Sequence, residues 1–299
     1  MDWEDVRVFL EVARTERLSE AAKRLEINAS TVSRRLHRLE ESLSVRLFER
    51  SVEGHQLTQQ GQLLLASARQ MEQQALTASE ILQGLDAQIS GRVRLGCTEG
   101  FGSFFIAPHL GQLLAAAPQL SVELLPMPRF VKLTRQEADL AVTIERPRQT
   151  SLVVTKLCDY RLQLYATPAY LAQAPRLASL EDLQQQRLIG YIDELMFTDQ
   201  LNYMQHLLPE IEPPLRSTSV VTQFAMARAG LGVAILPCFL ADPEPSLQPL
   251  LTDQLDLTRS FWLAAQPERK RLARVEVLWQ GLRDLVQQQS ALLMGLQDQ

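Results

Sequence analysis

The feature that most constrains this chain is the stretch from Leu18 to Arg50, which predicts two short helices joined by a tight turn. In the second helix, Val32, Leu36 and Leu39 recur at steps of four and three, so they share one face that we expect to be buried. Arg34 falls nearly opposite that face. A helix with an anchored apolar side and an open cationic side suits the grooves of duplex DNA.

Both predicted helices have recognisable starts. Ser19 is a good cap for the first and Asn28 for the second, and Glu26 and Ile27 lie in the turn between them. An arginine-bearing helix on its own is usually only a solvated surface. Here a cap, a turn, a buried stripe and a polar face coincide, and this combination favours a DNA-binding helix-turn-helix.

The polar face around Arg34 is short and rich in donors. Ser30, Thr31, His37 and Arg38 flank Arg34 and present groups that suit base edges and phosphates. The whole chain carries a formal net charge of −5, so no global basic field attracts it to DNA. Attraction has to come from the local cluster of arginines. Dimerisation, which brings two helix-turn-helix units to the same DNA, would strengthen the modest DNA affinity of one unit.

Together with the flanking segments DWEDVRVFLEVART and LFERSVEGHQLTQQG, this region resembles the LysR-type transcriptional regulators. The resemblance implies an N-terminal winged helix-turn-helix, with Leu47, Phe48, Gln56 and Leu57 in the two wing strands. By position it assigns DNA contacts to Ser30, Thr31, Ser33, Arg34 and Arg50, to which the helix face adds Arg38.

Two positions depart from the family pattern. Ala29 and Ser30 stand where the family often has Gln followed by Ser or Pro, so one base-reading amide is missing. Glu53 stands at the wing tip where relatives tend to have a basic residue, which weakens or redirects a phosphate contact. The operator sequence therefore does not follow from relatives.

The next segment predicts a long helix with an apolar seam. Apolar residues recur at alternating steps of four and three at Leu64, Ala68, Met71, Ala75, Ala78, Leu82, Leu85 and Ile89. The alternative is a helix packed against its own domain. We predict a coiled pair that uses Leu64, Met71, Leu82 and Leu85 for dimerisation, and the family resemblance implies antiparallel linker helices in a homodimer or homotetramer.

Length and composition indicate more than one globular domain, since 299 residues with 46% hydrophobic content can bury a sizeable core. No apolar run approaches membrane-spanning length and the N-terminus does not read as a signal peptide, so we expect a cytoplasmic protein. Cys97, Cys158 and Cys238 are far apart in sequence, which argues against a disulfide framework.

After residue 90 the pattern changes to strands alternating with helices, which predicts a parallel sheet with covered faces. This part resembles the two-lobed effector domain of the LysR family, which is similar to periplasmic binding proteins. We therefore divide the chain into a winged helix-turn-helix (1–60), a linker helix (61–90) and an α/β effector domain (91–299), with lobe I at 91–160 and 266–299 and lobe II at 161–265.

Ligands of open parallel sheets bind where strands end and helices begin. The first such junction holds Thr98, Glu99, Gly100 and Phe101, and the second-lobe equivalent holds Thr218 and Ser219. The resemblance places an inducer cleft between them, with Arg129, Thr143 and Tyr191 on loops that face it. As a plain alternative, a Thr or Ser at a helix start is often only a cap.

Glu99 is the unusual member, because a carboxylate repels an acidic ligand. Either Arg129 offsets it, or Glu99 satisfies the helix start, or the ligand carries a cationic or donor group. The four histidines show no metal-ligand spacing, no cofactor motif is present, and Cys97 is expected to be buried and inert.

Two classes of function remain at this stage. The favoured one is a ligand-responsive regulator, not an enzyme, that binds promoter DNA and a small effector, with RNA polymerase as a further partner. The other is a solute-binding or enzymatic module with a helical N-terminus. Sequence preference for the DNA upstream of the chain's own gene distinguishes the two.

Overall fold

The computed structural model describes residues 1–51, 54–83, 89–127, 138–208 and 211–296. The chain divides into two compact units, Met1–Gly84 and Leu85–Gln299. Each unit has a hydrophobic core of its own. Within the described residues, no helix combines the length and the hydropathy needed to cross a bilayer.

The first unit, which we call the reading head after its predicted role, begins with three helices: α1 (Trp3–Thr15), α2 (Leu18–Arg24) and α3 (Ala29–Leu43). The stripe predicted on α3 is buried: Val32 and Leu39 are inaccessible and Leu36 nearly so. They pack in one cluster with Phe9 and Val12 of α1. The apolar periodicity of α3 therefore fixes which of its sides remains at the surface.

The helix starts differ in detail from the prediction. Helix α2 is preceded by Arg17, so Ser19 lies inside the helix and not at its cap. Asn28 does precede α3, but its side chain makes no capping hydrogen bond. Packing against α1, rather than side-chain capping, accounts for the position of both helices.

The wing consists of two antiparallel strands, β1 (Phe48–Ser51) and β2 (Gly54–Leu57). Buried Glu40 of α3 holds the chain that enters it, because its Oε1 accepts hydrogen bonds from the backbone N–H of Leu47 at 2.7 Å and of Phe48 at 3.3 Å. At the other strand, Gly54 has φ +142°, and a Cβ there would lie 2.4 Å from the carbonyl oxygen of Glu16. A glycine is therefore required where the wing meets the end of α1.

A single long helix, α4 (Gln59–Gln83), completes the first unit. Ala68 is fully buried in the core of the reading head, and Leu64 and Leu65 pack against that core. The first part of the predicted seam therefore faces the chain's own head. Met71 is 36% exposed, and Leu63 is 70% exposed.

The second unit, the effector unit, contains one mixed sheet. Its described strands are β3 (Ser90–Thr98), β4 (Gln119–Met127), β5 (Leu140–Thr143), β6 (Val153–Ala166), β7 (Leu188–Gly190), β8 (Leu215–Arg216), β9 (Val233–Pro237), β10 (Gln248–Leu250) and β11 (Leu257–Ala265). They run in the order β4-β3-β5-β11-β6-β9-β7-β8, and β10 pairs with β6.

The sheet is only partly parallel. Strands β3, β4 and β5 pair in parallel, as do β7, β8 and β9, which gives each lobe a parallel core. Strands β6 and β11, however, pair antiparallel with each other and with β9 and β5 respectively. The predicted parallel sheet is present within each lobe, whereas the joining strands β6 and β11 are antiparallel because they link the lobes side by side without a crossover helix.

Strand β6 also corrects a prediction. The sequence suggested two strands, 153–157 and 161–166, with a crossing near Asp159, but β6 runs through without a break. Its pairing with β11 shifts by one residue between Phe261 and Trp262, which pair with Cys158 and Lys156, so Leu157 of β6 is the extra residue. We call the part with β3–β5 lobe I and the part with β7–β9 lobe II; β6 and β11 run through both.

The described helices of the effector unit are α5 (Glu99–Phe101), α6 (Leu110–Leu114), α7 (Pro168–Leu171), α8 (Tyr203–Leu207), α9 (Val220–Arg228), α10 (Cys238–Ala241), α11 (Pro267–Lys270), α12 (Ala273–Gln288) and α13 (Ser290–Met294). Helix α5 continues into a π-helical stretch, Gly102–Ile106, and then a 3₁₀ turn. The short helix predicted at 132–137 lies outside the described residues.

Candidate functional sites

The exposed side of α3 carries the polar residues predicted to contact DNA. Ser30, Ser33 and Arg34 are exposed and Thr31 is half-buried. Arg34 makes no ion pair with any residue that the structure describes. A cation that is not held by a carboxylate can reach a phosphate or a guanine edge without first breaking a contact.

Two neighbouring arginines are tied to α1 instead. The Arg38 guanidinium donates from Nε to the buried carboxylate of Asp5 at 2.7 Å and from Nη2 to its other oxygen. These hydrogen bonds raise the pKa of Arg38. Arg35 pairs with Glu4 at 3.3 Å. Arg38 is therefore a link between α1 and α3, a role that the helix-face argument did not reveal.

The wing residue predicted to contact DNA is described only in part. Arg50 lies on β1, paired in register with His55 of β2. Its side chain lies outside the described part of the structure, as do Val52 and Glu53 at the wing tip.

Between the two lobes lies a cavity of about 50 Å³. Strand ends, helix starts and the middles of β6 and β11 all contribute to its wall. Six predicted effector residues line it: Thr98, Glu99, Gly100, Phe101, Tyr191 and Thr218. The strand-end residues predicted in the two lobes therefore lie around one cavity.

The three other predicted effector residues do not line this cavity as described. The Thr143 hydroxyl donates to the carbonyl oxygen of Glu145 at 2.6 Å. The Ser219 hydroxyl accepts from the N–H of Thr222 at 3.1 Å and so caps α9, as the plain alternative held. Arg129 lies outside the described residues.

Glu99 is the charged residue among the described lining residues. Its Oε2 is buried and accepts no hydrogen bond from the described part of the chain. Leaving an acceptor buried in this way costs about 1–3 kcal/mol. Burial raises the pKa of nearby Tyr191, and the negative charge of Glu99 raises it further.

The sequence argument missed the aromatic wall. Tyr160 lies in β6 and Phe261 in β11, and their rings stack with centroids 4.3 Å apart. Phe101 approaches Phe261 to 4.1 Å, and Tyr203 and Phe239 complete the wall. Residues inside strands are not singled out by a rule about strand ends, and no local pattern marks them.

Two contacts bring the lobes together around the cavity. A Cβ on Gly100 of lobe I would lie 2.8 Å from Cγ1 of Val220 in lobe II, so glycine allows the two segments to touch. Next to the lining residues Ile144 and Phe197, the hydroxyl of Thr198 in lobe II donates to the carboxylate of Glu145 in lobe I. The two lobes therefore contact each other beside the cavity.

Other chemistry is scarce in the described residues. No group of three or more His, Cys, Asp or Glu residues there could hold a metal ion. Cys97 and Cys238 are buried and Cys158 is partly buried, all as free thiols. Burial raises the pKa of Cys97 to about 12, which makes it a poor nucleophile at neutral pH.

Comparison with known families identifies both units. The family model described as "Bacterial regulatory helix-turn-helix protein, lysR family" matches residues 3–62, and "LysR substrate binding domain" matches residues 86–287. The chain belongs to the LysR-type transcriptional regulators. It is thus a DNA-binding, effector-responsive regulator and not an enzyme, and the winged helix-turn-helix and two-lobed α/β fold are confirmed.

Individual LysR-type relatives match along most of the chain. The Mau operon transcriptional activator of Paracoccus denitrificans is 31% identical over 282 residues, which cover 93% of this chain and 95% of that protein. The structure of CrgA from Neisseria meningitidis matches with a TM-score of 0.58 at 24% identity, covering 95% of this chain and 98% of that one. Full-length CbnR, solved in complex with its target DNA, matches with a TM-score of 0.62 at 19% sequence identity, covering 95% of this chain and 100% of that one.

Proposed function

We propose that this LysR-type regulator reads its operator with the exposed side of α3, and that a small molecule bound between the lobes modulates this reading. The observation that carries the proposal is the position of Arg34, which is exposed and lies opposite the buried stripe of α3. Ser30, Thr31 and Ser33 supply hydroxyl groups beside it. CbnR binds target DNA in its solved complex, and its likeness in fold supports the same use of this head.

The proposed DNA contacts also include Arg50, from the family pattern, and Arg38, from its position on α3. The Arg38 guanidinium is hydrogen-bonded to Asp5, so a DNA contact through Arg38 would compete with the link to α1.

The effector half of the proposal rests on the cavity. Residues of both lobes line it, so a ligand there stabilises one arrangement of the lobes over others. Coupling of that arrangement to DNA binding is what makes the ligand a regulator. We propose Thr98, Glu99, Gly100, Phe101, Tyr191 and Thr218 as its binding residues, with Arg129, Thr143 and Ser219 as family-based candidates nearby.

We further propose that the chain assembles as a dimer or tetramer through the later part of α4. Since Leu64 faces the head's own core, the pairing surface begins at Met71 and extends to Leu82 and Leu85, which lie beyond the described side chains. Met71→Glu combined with Leu82→Glu should reduce the mass in solution. An unchanged oligomer would refute this surface. Because the operator lies in promoter DNA, we propose that the protein acts in the cytoplasm, with RNA polymerase as a further partner.

The test of DNA reading is a footprint on the intergenic DNA upstream of the chain's own gene. Arg34→Ala should weaken specific binding by about 1–3 kcal/mol, because it removes a contact to a base edge or phosphate. Arg35→Ala is the matched control: it removes the same charge one residue away, but from a side chain already paired with Glu4. Equal affinities for Arg34→Ala and the unaltered protein, with the fold intact, would refute the proposal.

A further inference from the structure

The cavity between the lobes has an unusual set of walls for a site that takes an acid. Its one charged lining residue among those described is Glu99, and no Lys, Arg or His is among them. The remaining wall is apolar or aromatic apart from hydroxyl groups. A carboxylate ligand would meet a like charge there, and Arg259, the described cation whose charge acts on the wall residues Tyr160 and Tyr203, is not itself a lining residue.

The carboxylate of Glu99 needs a donor. Its Oε2 is buried and accepts no hydrogen bond from the described residues. Thr98 makes no capping hydrogen bond with its side chain, and no hydrogen bond in the described part of the chain joins the Glu99 carboxylate to the start of α5. A buried carboxylate oxygen is best satisfied by a donor that also carries positive charge.

The aromatic rings favour the same kind of ligand. Phe101, Tyr160 and Phe261 form a cluster with centroids 4.1 and 4.3 Å apart, and Tyr191 and Tyr203 stand edge to face at 6.1 Å. Because Phe101, Tyr160 and Phe261 stack on one another, they offer a ligand apolar ring surface, which suits an aliphatic chain. A buried carboxylate beside such rings suits a ligand with a cationic end and a short carbon chain.

The volume limits the size of the occupant. A buried water needs on the order of 10–15 Å³ of space, and this cavity offers about 50 Å³. It therefore suits a small ligand, such as a short aliphatic chain with one polar end.

We propose that the effector of this regulator is a compact primary amine, whose ammonium group donates to Glu99 while its carbon chain lies among the aromatic rings. This inference rests on the proposed function of the cavity as the effector site and specifies the chemical class of the effector.

The experiment uses the full-length protein and isothermal titration with three matched probes: propylammonium, 1-propanol and propionate. They share a three-carbon chain and differ in the charge of the polar end. Propylammonium should bind at least tenfold tighter than 1-propanol, and propionate weakest. Glu99→Gln, which keeps the shape and removes the charge, should bring propylammonium to the level of 1-propanol, a loss of about 10- to 100-fold.

Glu123→Gln is the control. Glu123 lies on the outer strand β4, where it pairs with Arg92 and Arg94 away from the cavity. This variant should retain the preference for propylammonium. Circular dichroism and melting temperature establish that both variants fold.

Two results would overturn the inference. One is propionate binding more tightly than propylammonium, with Glu99→Gln strengthening propionate further, which would mean that a cation such as Arg129 dominates the site. The other is equal affinity of propylammonium for Glu99→Gln and the unaltered protein. Neither result affects the footprint with Arg34→Ala. The experiments therefore distinguish a wrong ligand class from a wrong proposal for DNA binding.

Discussion

The exposed side of α3 and the cavity between the lobes are both built to receive a partner, and they are built in opposite ways. On α3 the apolar side chains enter the core and Arg34 stays in solvent. In the cavity the aromatic side chains form the walls and enclose Glu99. The first site keeps its hydration until the partner arrives, whereas the second has already lost part of it. Recognition at α3 thus depends on exposed side chains such as Arg34. Recognition in the cavity depends on a buried carboxylate, that of Glu99, which lacks a hydrogen-bond donor among the described residues.

The largest effect we predict tests whether the two regions are independent in stability. Phe261→Ala should destabilise the effector unit by about 3–5 kcal/mol, because the ring is 2% exposed and packs against Phe101 and Tyr160. Phe9→Ala is its counterpart in the reading head, where Phe9 is fully buried beside Phe48. Calorimetry should show that each variant lowers a different transition. If both lowered one common transition, the units would unfold as one.

A smaller effect separates the free arginine of α3 from the tied one. Arg38→Gln should lower the melting temperature of the reading head more than Arg34→Gln does, because it leaves the buried carboxylate of Asp5 with a weaker partner. Operator affinity should show the opposite order, with the larger loss in Arg34→Gln. Thermal unfolding and DNA titration on the same two variants check both orders. Greater loss of DNA binding in Arg38→Gln would make Arg38 the principal DNA contact.

The smallest effect concerns Asp242 of the effector unit, a carboxylate whose charged form is destabilised by burial. Burial raises the pKa of Asp242, whose Oδ1 accepts from the Tyr165 hydroxyl at 2.5 Å. A carboxyl with a raised folded-state pKa stabilises the fold below its unfolded pKa, near 4, and loses that contribution as pH rises through its folded pKa. Asp242→Asn should therefore raise the melting temperature at pH 7 and leave it nearly unchanged at pH 4.

Asp182→Asn should change the melting temperature at pH 7 in the opposite direction from Asp242→Asn. Backbone N–H groups of Ala178 and Ser179 donate to the Asp182 carboxylate at 2.8 and 2.9 Å and lower its pKa. Its charge stabilises the fold above the unfolded pKa, so this variant should lower the melting temperature at pH 7 and lose that effect as pH falls. A lower melting temperature for Asp242→Asn at pH 7 would contradict the assignment of Asp242.

How far the sequence predicts the structure differs between the two regions for a physical reason. The stripe on α3 follows from local periodicity alone, because one helix needs only one buried face. The strand ends at Thr98 and Thr218 follow from a rule about parallel sheets. Tyr160 and Phe261 do not, because β6 and β11 turn their middles toward the cavity only after the lobes are joined.

The seam on α4 shows a different limit. Leu64 and Ala68 recur with the period of a coiled pair, yet they pack into the reading head. An intramolecular core and a partner helix impose the same spacing of apolar residues, so periodicity alone does not distinguish them. Arg38 shows a similar limit: its exposed position on α3 follows from the helix period, whereas its hydrogen bonds to Asp5 of α1 are a tertiary contact that no local pattern encodes.

The two strands shared by the lobes have a mechanical consequence. Since β6 and β11 form a single ribbon through both halves, any hinge opening has to be absorbed as a change in the twist of that ribbon. Tyr160 and Phe261 sit on it, next to the break in register at Trp262. A ligand that contacts those rings therefore contacts the two strands whose twist would change, so ligand binding and the angle between the lobes are coupled.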